Sequence, residues 1–107
     1  MPKADIVVEI TYNVNEPEKT VIRTNAKPDK VSEIFETWLV AQIGKGKDSR
    51  EPVRKNEYKI TIKLDLSDDT FYVSSDTGNN DLTVGIFVNL IGIIQVGHSD
   101  KIQISTL

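Results

Sequence analysis

A chain of 107 residues, 38% hydrophobic and 27% charged, fits one folded domain around a single core and excludes the compositional bias of disorder. It has no cysteine, which excludes disulfides, thiol catalysis and cysteine-based metal sites and makes a reducing, cytoplasmic compartment the expectation. The net charge of −3 speaks against a dedicated nucleic-acid binder, and that charge is segregated: −2 over residues 1–43, +4 over 44–63 and −5 over 64–107.

The first element begins at Ile6. Ile6, Val8, Ile10, Tyr12 and Val14 alternate with residues of which only Val7 is apolar, the period of a half-buried strand. Asn15 to Lys19 reads as a turn and Thr20 to Thr24 as the returning strand. Pro28 and Asp29 suit the opening of a helix, where a missing N–H costs nothing and an acidic side chain meets the positive end of the dipole. Val31, Ile34, Phe35, Trp38, Leu39 and Ile43 then recur at helical spacing, and Gly44 supplies the stop.

After a basic loop the pattern restarts. Tyr58, Ile60, Ile62, Leu64 and Leu66 alternate with Lys59, Thr61, Lys63 and Asp65; Ser67 to Asp69 makes a turn, and Phe71 to Ser74 returns. The apolar run Leu82 to Val96 follows. A strand reading fits its β-branched residues and glycines. A helix reading fits its length, an N-cap at Asp81 and the parallel with the first half, and is the one favoured. Interrupted by Asn89 and Gln95, the run is shorter than the roughly 20 residues a bilayer span needs, and the amino-terminal MPKADIVVEI turns polar too early for a secretory signal, so no membrane is expected. A short last strand is expected around Ile102 to Ile104.

These elements predict an α+β fold over 1–107: two layers, an antiparallel sheet of four to five strands with two helices, in the order ββαββα(β). The order repeats over 6–44 and 58–97, and Gln42-Ile43-Gly44 matches Gln95-Val96-Gly97 at an offset of 53. An internal ββα repeat is one reading; ββα is also a common unit, and independent halves are the other.

One triplet points to chemistry. Asp76-Thr77-Gly78, followed by Asn79 to Val84, resembles the retroviral-type aspartic proteases, in which such a carboxylate shares a proton with its symmetry mate across a dimer axis. The resemblance covers about nine residues. Ser74 and Ser75 stand where that family has apolar residues, and the 29 residues after Gly78 leave no room for its flap and bracing segments. The triplet is therefore read as a chance match: a polar turn, Gly78 at positive φ and Asp81 capping a helix.

Other constellations are weaker. Gly44-Lys45-Gly46-Lys47 lacks the glycine and hydroxyl of a phosphate loop, having Ala41 and Asp48 there, and follows a helix instead of opening one. Asp65, Asp68 and Asp69 crowd a hairpin tip without the spacing of a cation loop, so no metal and no cofactor is expected. His98, the only histidine, cannot make a histidine zinc site and suits a helix end.

The expectation is a non-catalytic interaction or oligomerisation module, a homodimer or a subunit of an assembly, whose partner is itself or another protein. A helix apolar on most of its circumference must be buried on more than one side, which makes Val84, Phe87, Val88, Ile91 and Ile94 the interface candidates. A first alternative is nucleic-acid or polyanion binding through the basic segment 44–63, by Lys45, Lys47, Arg50, Arg54, Lys55, Lys59 and Lys63. A second is a small-molecule enzyme using Asp65, Asp76, Asp81 or His98 in a pocket.

Overall fold

The computed structural model of the chain describes residues 5–95 and 102–107. The period-two segments form strands whose alternate residues turn to one covered face. In β1 (Ile6–Asn13) Val8, Ile10 and Tyr12 are buried, and in β3 (Glu57–Asp65) Tyr58, Ile60 and Ile62 are buried, while Glu9, Lys59, Thr61 and Lys63 face out. β2 (Val21–Thr24) returns beside β1, and β4 (Thr70–Ser75) returns beside β3. β1 and β3 pair antiparallel from Ile6↔Leu64 to Asn13↔Glu57, so the two hairpins join back to back.

The sheet has five strands in the order β4-β3-β1-β2-β5. It is mixed, a departure from the expected antiparallel sheet. The last strand, β5 (Gln103–Thr106), runs parallel to β2 with Ile22↔Ile104 in register. β2, β3 and β5 run one way and β1 and β4 the other, so β5 runs opposite to β4, the strand before α2, and beside β2 it brings Ile104 against the core.

Both helices lie on the covered face. A single 3₁₀ turn at Pro28–Lys30 leads into α1 (Val31–Gln42), which buries Val31, Ile34, Phe35 and Trp38 and gives way to Gly44 at φ +88°. The run at 82–96 is helical through α2 (Asn80–Ile93). Its N-cap is Asn79, whose side-chain oxygen accepts the Leu82 N–H at 2.9 Å; Asp81, the residue expected to cap, sits within the first turn. No described helix is long and apolar enough to cross a membrane.

α2 is apolar around most of its circumference because it packs on two sides within the chain. One side meets the sheet and another meets α1, where Phe87 stacks on Phe35 at 4.9 Å between ring centroids and takes the edge of Trp38 at 4.8 Å. Phe87 is fully buried and Ile91 nearly so. Two of the five interface candidates are therefore core residues of this chain, and Val84 and Ile94 are half-buried against the same core. Only Val88, on the outward face with Gly85 and Gly92, is exposed.

Candidate binding cleft at the open edge of the sheet

The ladder between β3 and β4 determines what β4 offers outwards. The Asp76 N–H donates to the Lys59 carbonyl at 3.2 Å, just past the end of the strand. On the other side of β3, the Val14 N–H donates to the Asn56 carbonyl at 3.0 Å. Antiparallel strands alternate hydrogen-bonded and non-hydrogen-bonded pairs. Odd-numbered residues of β3 thus bond to β4 and even-numbered ones to β1. On β4 the N–H and C=O groups of Tyr72 and Ser74 face β3, while those of Phe71, Val73 and Ser75 face away from the sheet. At the opposite end β2 is covered by β5. No described strand covers β4, and Thr70–Ser75 contains no charge, no proline and no bulge in its register.

A cleft of about 460 Å³ runs beside this edge. Val73 and Ser75 form one wall, Trp38 and Gln42 come from the end of α1, and Lys45 and Arg50 stand on the loop opposite. The loop, residues 44–56, is held by the start of α2. Asn79 caps the helix with its oxygen and donates its amide nitrogen to the carbonyls of Asp48, at 3.3 Å, and Arg50. Asp48 accepts the Asn80 N–H at 2.8 Å, placing a carboxylate at the positive end of the helix. The Asp48 N–H in turn donates to Asp81 at 3.1 Å. Farther along, the Val53 N–H donates to the Thr77 carbonyl at 2.7 Å and the Tyr58 hydroxyl to the Val53 carbonyl at 2.5 Å.

The Asp-Thr-Gly turn is built into this support. Gly78 takes φ +70°, and a Cβ there would stand 3.1 Å from Val53 Cγ2. Thr77 is buried; its hydroxyl lies 2.7 Å from that of Thr83, and the Ser75 hydroxyl lies 3.1 Å from Thr77 and 3.2 Å from Thr83. Both oxygens of Asp76 are engaged, one by the Lys55 ammonium at 2.9 Å and one by the Lys59 N–H at 2.9 Å. Burial pushes the Asp76 carboxyl up, but these donors outweigh it and hold it below the usual carboxylate range. The hydrogen bonds of the Arg50 guanidinium, then those of the Asn80 and Arg50 N–H groups, hold Asp48 well below that range. Asp65 is also lowered, first by the Ser67 hydroxyl, as the cap of the β3–β4 turn.

The seven basic candidates are not gathered in one place. Lys45 and Arg50 line the cleft, and Lys59 and Lys63 stand on the open face of β3. Arg50, Lys55 and Lys63 are paired with Asp48, Asp76 and Asp5. Lys47 and Arg54 are exposed on the loop. His98 lies outside the described residues, and the described acidic residues make no cluster that could hold a metal ion.

No family model, curated protein or solved structure matches this chain.

Sequence reading missed the edge of β4, the dual role of Asn79 and the position of Trp38 between core and cleft. One signal for the first was available: a strand of six residues without charge or proline after a strand that carries Lys59 and Lys63. Nothing in the sequence says which strand lies outermost.

Proposed function

We propose that the protein is a non-catalytic interaction module that accepts an extended strand along β4, working in a reducing, cytoplasmic setting. One observation carries this reading: the main-chain groups of Phe71, Val73 and Ser75 point away from the sheet, and Val73 and Ser75 line a cleft of about 460 Å³. Main-chain hydrogen bonds supply affinity in such pairing, and side-chain pockets supply selectivity. The incoming strand belongs to another protein or to a second copy of this chain. The carboxylates considered for catalysis argue the same way, since Asp65, Asp76 and Asp81 each serve a turn, a loop or a strand end. Polyanion binding stands second, because three of its seven candidate bases already neutralise carboxylates of this chain.

The test is panning of a displayed library of random heptapeptides against dilute protein, with Val73→Pro as the comparison. Proline at 73 removes an N–H that points away from the sheet and none that bonds to β3. Peptides that bind the natural chain and lose Val73→Pro support the reading. Binders indifferent to the substitution overturn it, as does a library that yields none while the chain is monomeric.

A further inference from the structure

We propose, resting on the reading of β4 as an acceptor edge, that the strand it takes is β4 of a second copy, antiparallel, with Val73 on the two-fold axis. Three observations converge on this partner.

The first is parity. In an antiparallel pair each hydrogen-bonded position must present its main-chain groups to its opposite number. Centring the axis on Val73 sets Val73 against itself and Phe71 against Ser75 of the second copy. Every residue that faces outwards on one strand then meets one that faces outwards on the other. Centring on Tyr72 or Ser74 leaves one outward residue of each strand without a strand partner. The arrangement is isologous, so one self-complementary patch serves both copies.

The second is charge. The turn beyond Thr70 carries Asp68 and Asp69, both exposed. Carried past the strand ends, the same register brings this acidic turn alongside Thr77 and Gly78 of the second copy, where Lys45 of that copy lines the cleft beside the Arg50–Asp48 pair. The contact occurs twice, once on each side of the axis. The acidic part of the chain thus meets the basic part of its neighbour, and the segregation of charge gains a structural use.

The third is surface chemistry. Tyr72, opposite Lys63 of β3, is 54% exposed on the open face and stacks on no other described aromatic ring. In this register it stands opposite Ser74 of the second copy, at the closer, non-hydrogen-bonded spacing where aromatic cross-strand contacts form.

The experiment is molar mass by light scattering across a dilution series, on the natural chain, Val73→Pro and Asp68→Lys. The natural chain is expected to be a dimer that dissociates on dilution, and sooner at high salt. Val73→Pro is expected to be monomeric with an unchanged far-ultraviolet circular dichroism spectrum. Should it fail to fold, Asp68→Lys, on an exposed turn, weakens association at least several-fold, and adding Lys45→Asp restores part of the loss. Register is read by disulfide trapping in this cysteine-free chain. Tyr72→Cys chains mixed with Ser74→Cys chains form the mixed disulfide faster than either forms its own, because facing Cα atoms about 4.5 Å apart fall within disulfide reach.

A dimer indifferent to Val73→Pro and Asp68→Lys places association elsewhere and overturns the inference. A monomer at every dilution that still captures Val73→Pro-sensitive peptides overturns the second copy as partner and leaves the acceptor edge standing. A monomer that captures none removes both.

Discussion

The rings of Phe35 and Phe87 lie parallel to within 2°, their centroids 4.9 Å apart, and they occupy equivalent places on α1 and α2. The other buried positions of the two helices follow the same spacing: Val31 with Thr83 and Ile34 with Ile86 are each, like the phenylalanines, 52 residues apart. In the sheet, Glu9 and Thr61, also 52 apart, face each other at the middle of the β1–β3 ladder. An approximate two-fold axis therefore passes through the centre of the chain, and the stacked rings sit where the two ββα units meet. The ends of the sheet break the relation. β5 covers β2, while nothing described covers β4.

Phe87→Ala is expected to destabilise the fold by about 3–5 kcal/mol, because it removes a fully buried ring and leaves Phe35 and Trp38 facing a cavity. Val88→Ala, one residue on, changes stability by less than about 0.5 kcal/mol, its side chain being 56% exposed. Urea unfolding of the two variants measures both; similar losses would contradict the assignment of Phe87 to the core.

Asn79→Ala removes the N-cap of α2 and the amide that holds the carbonyls of Asp48 and Arg50. The expected cost is about 1–2 kcal/mol, the upper range for a cap, together with faster proteolysis within residues 44–56. Asp81→Ala leaves the Asn79 cap in place and is expected to cost less. The order reverses if Asp81 is the true cap.

Gly78→Ala puts a Cβ on a residue at φ +70°, with Val53 Cγ2 3.1 Å away. Strain in the left-handed region amounts to roughly 1–2 kcal/mol. Gly85→Ala, on the exposed face of α2 with nothing within 4 Å of the added carbon, is expected to be stabilising by about 0.5–1 kcal/mol through helix propensity. Thermal unfolding of the pair distinguishes the two signs.

Asp48 and Asp76 are both lowered in the folded chain. Their unfolded counterparts protonate near about 3.9, so below that value the unfolded chain binds more protons and stability falls with pH. The contribution is fully present above about pH 4 and disappears as the pH passes the folded values. Urea midpoints taken from about pH 7 down to about pH 2 show this loss, and Asp48→Asn flattens the slope. A slope unchanged by Asp48→Asn contradicts the placement of Asp48 at the start of α2.

Much of the α+β architecture was legible in the residues because burial on one side is written in local periodicity. Alternation at Ile6 to Tyr12 and at Tyr58 to Ile62 marked two strands, the stripe from Val31 to Trp38 marked α1, and Gly78 marked a turn at positive φ. Position in the sheet is another matter. Which strand lies outermost, that β5 runs parallel, and that residues 44–56 fold back onto Asn79 all depend on contacts far apart in sequence, such as that of Arg50 with Asn79, 29 positions on. The two apolar sides of α2 look in sequence like a surplus that needs a second chain. In three dimensions they are the sides that meet the sheet and Phe35, and the strand edge left open among the described residues is that of β4, whose main-chain groups are present in every residue and whose freedom only the neighbouring strands decide.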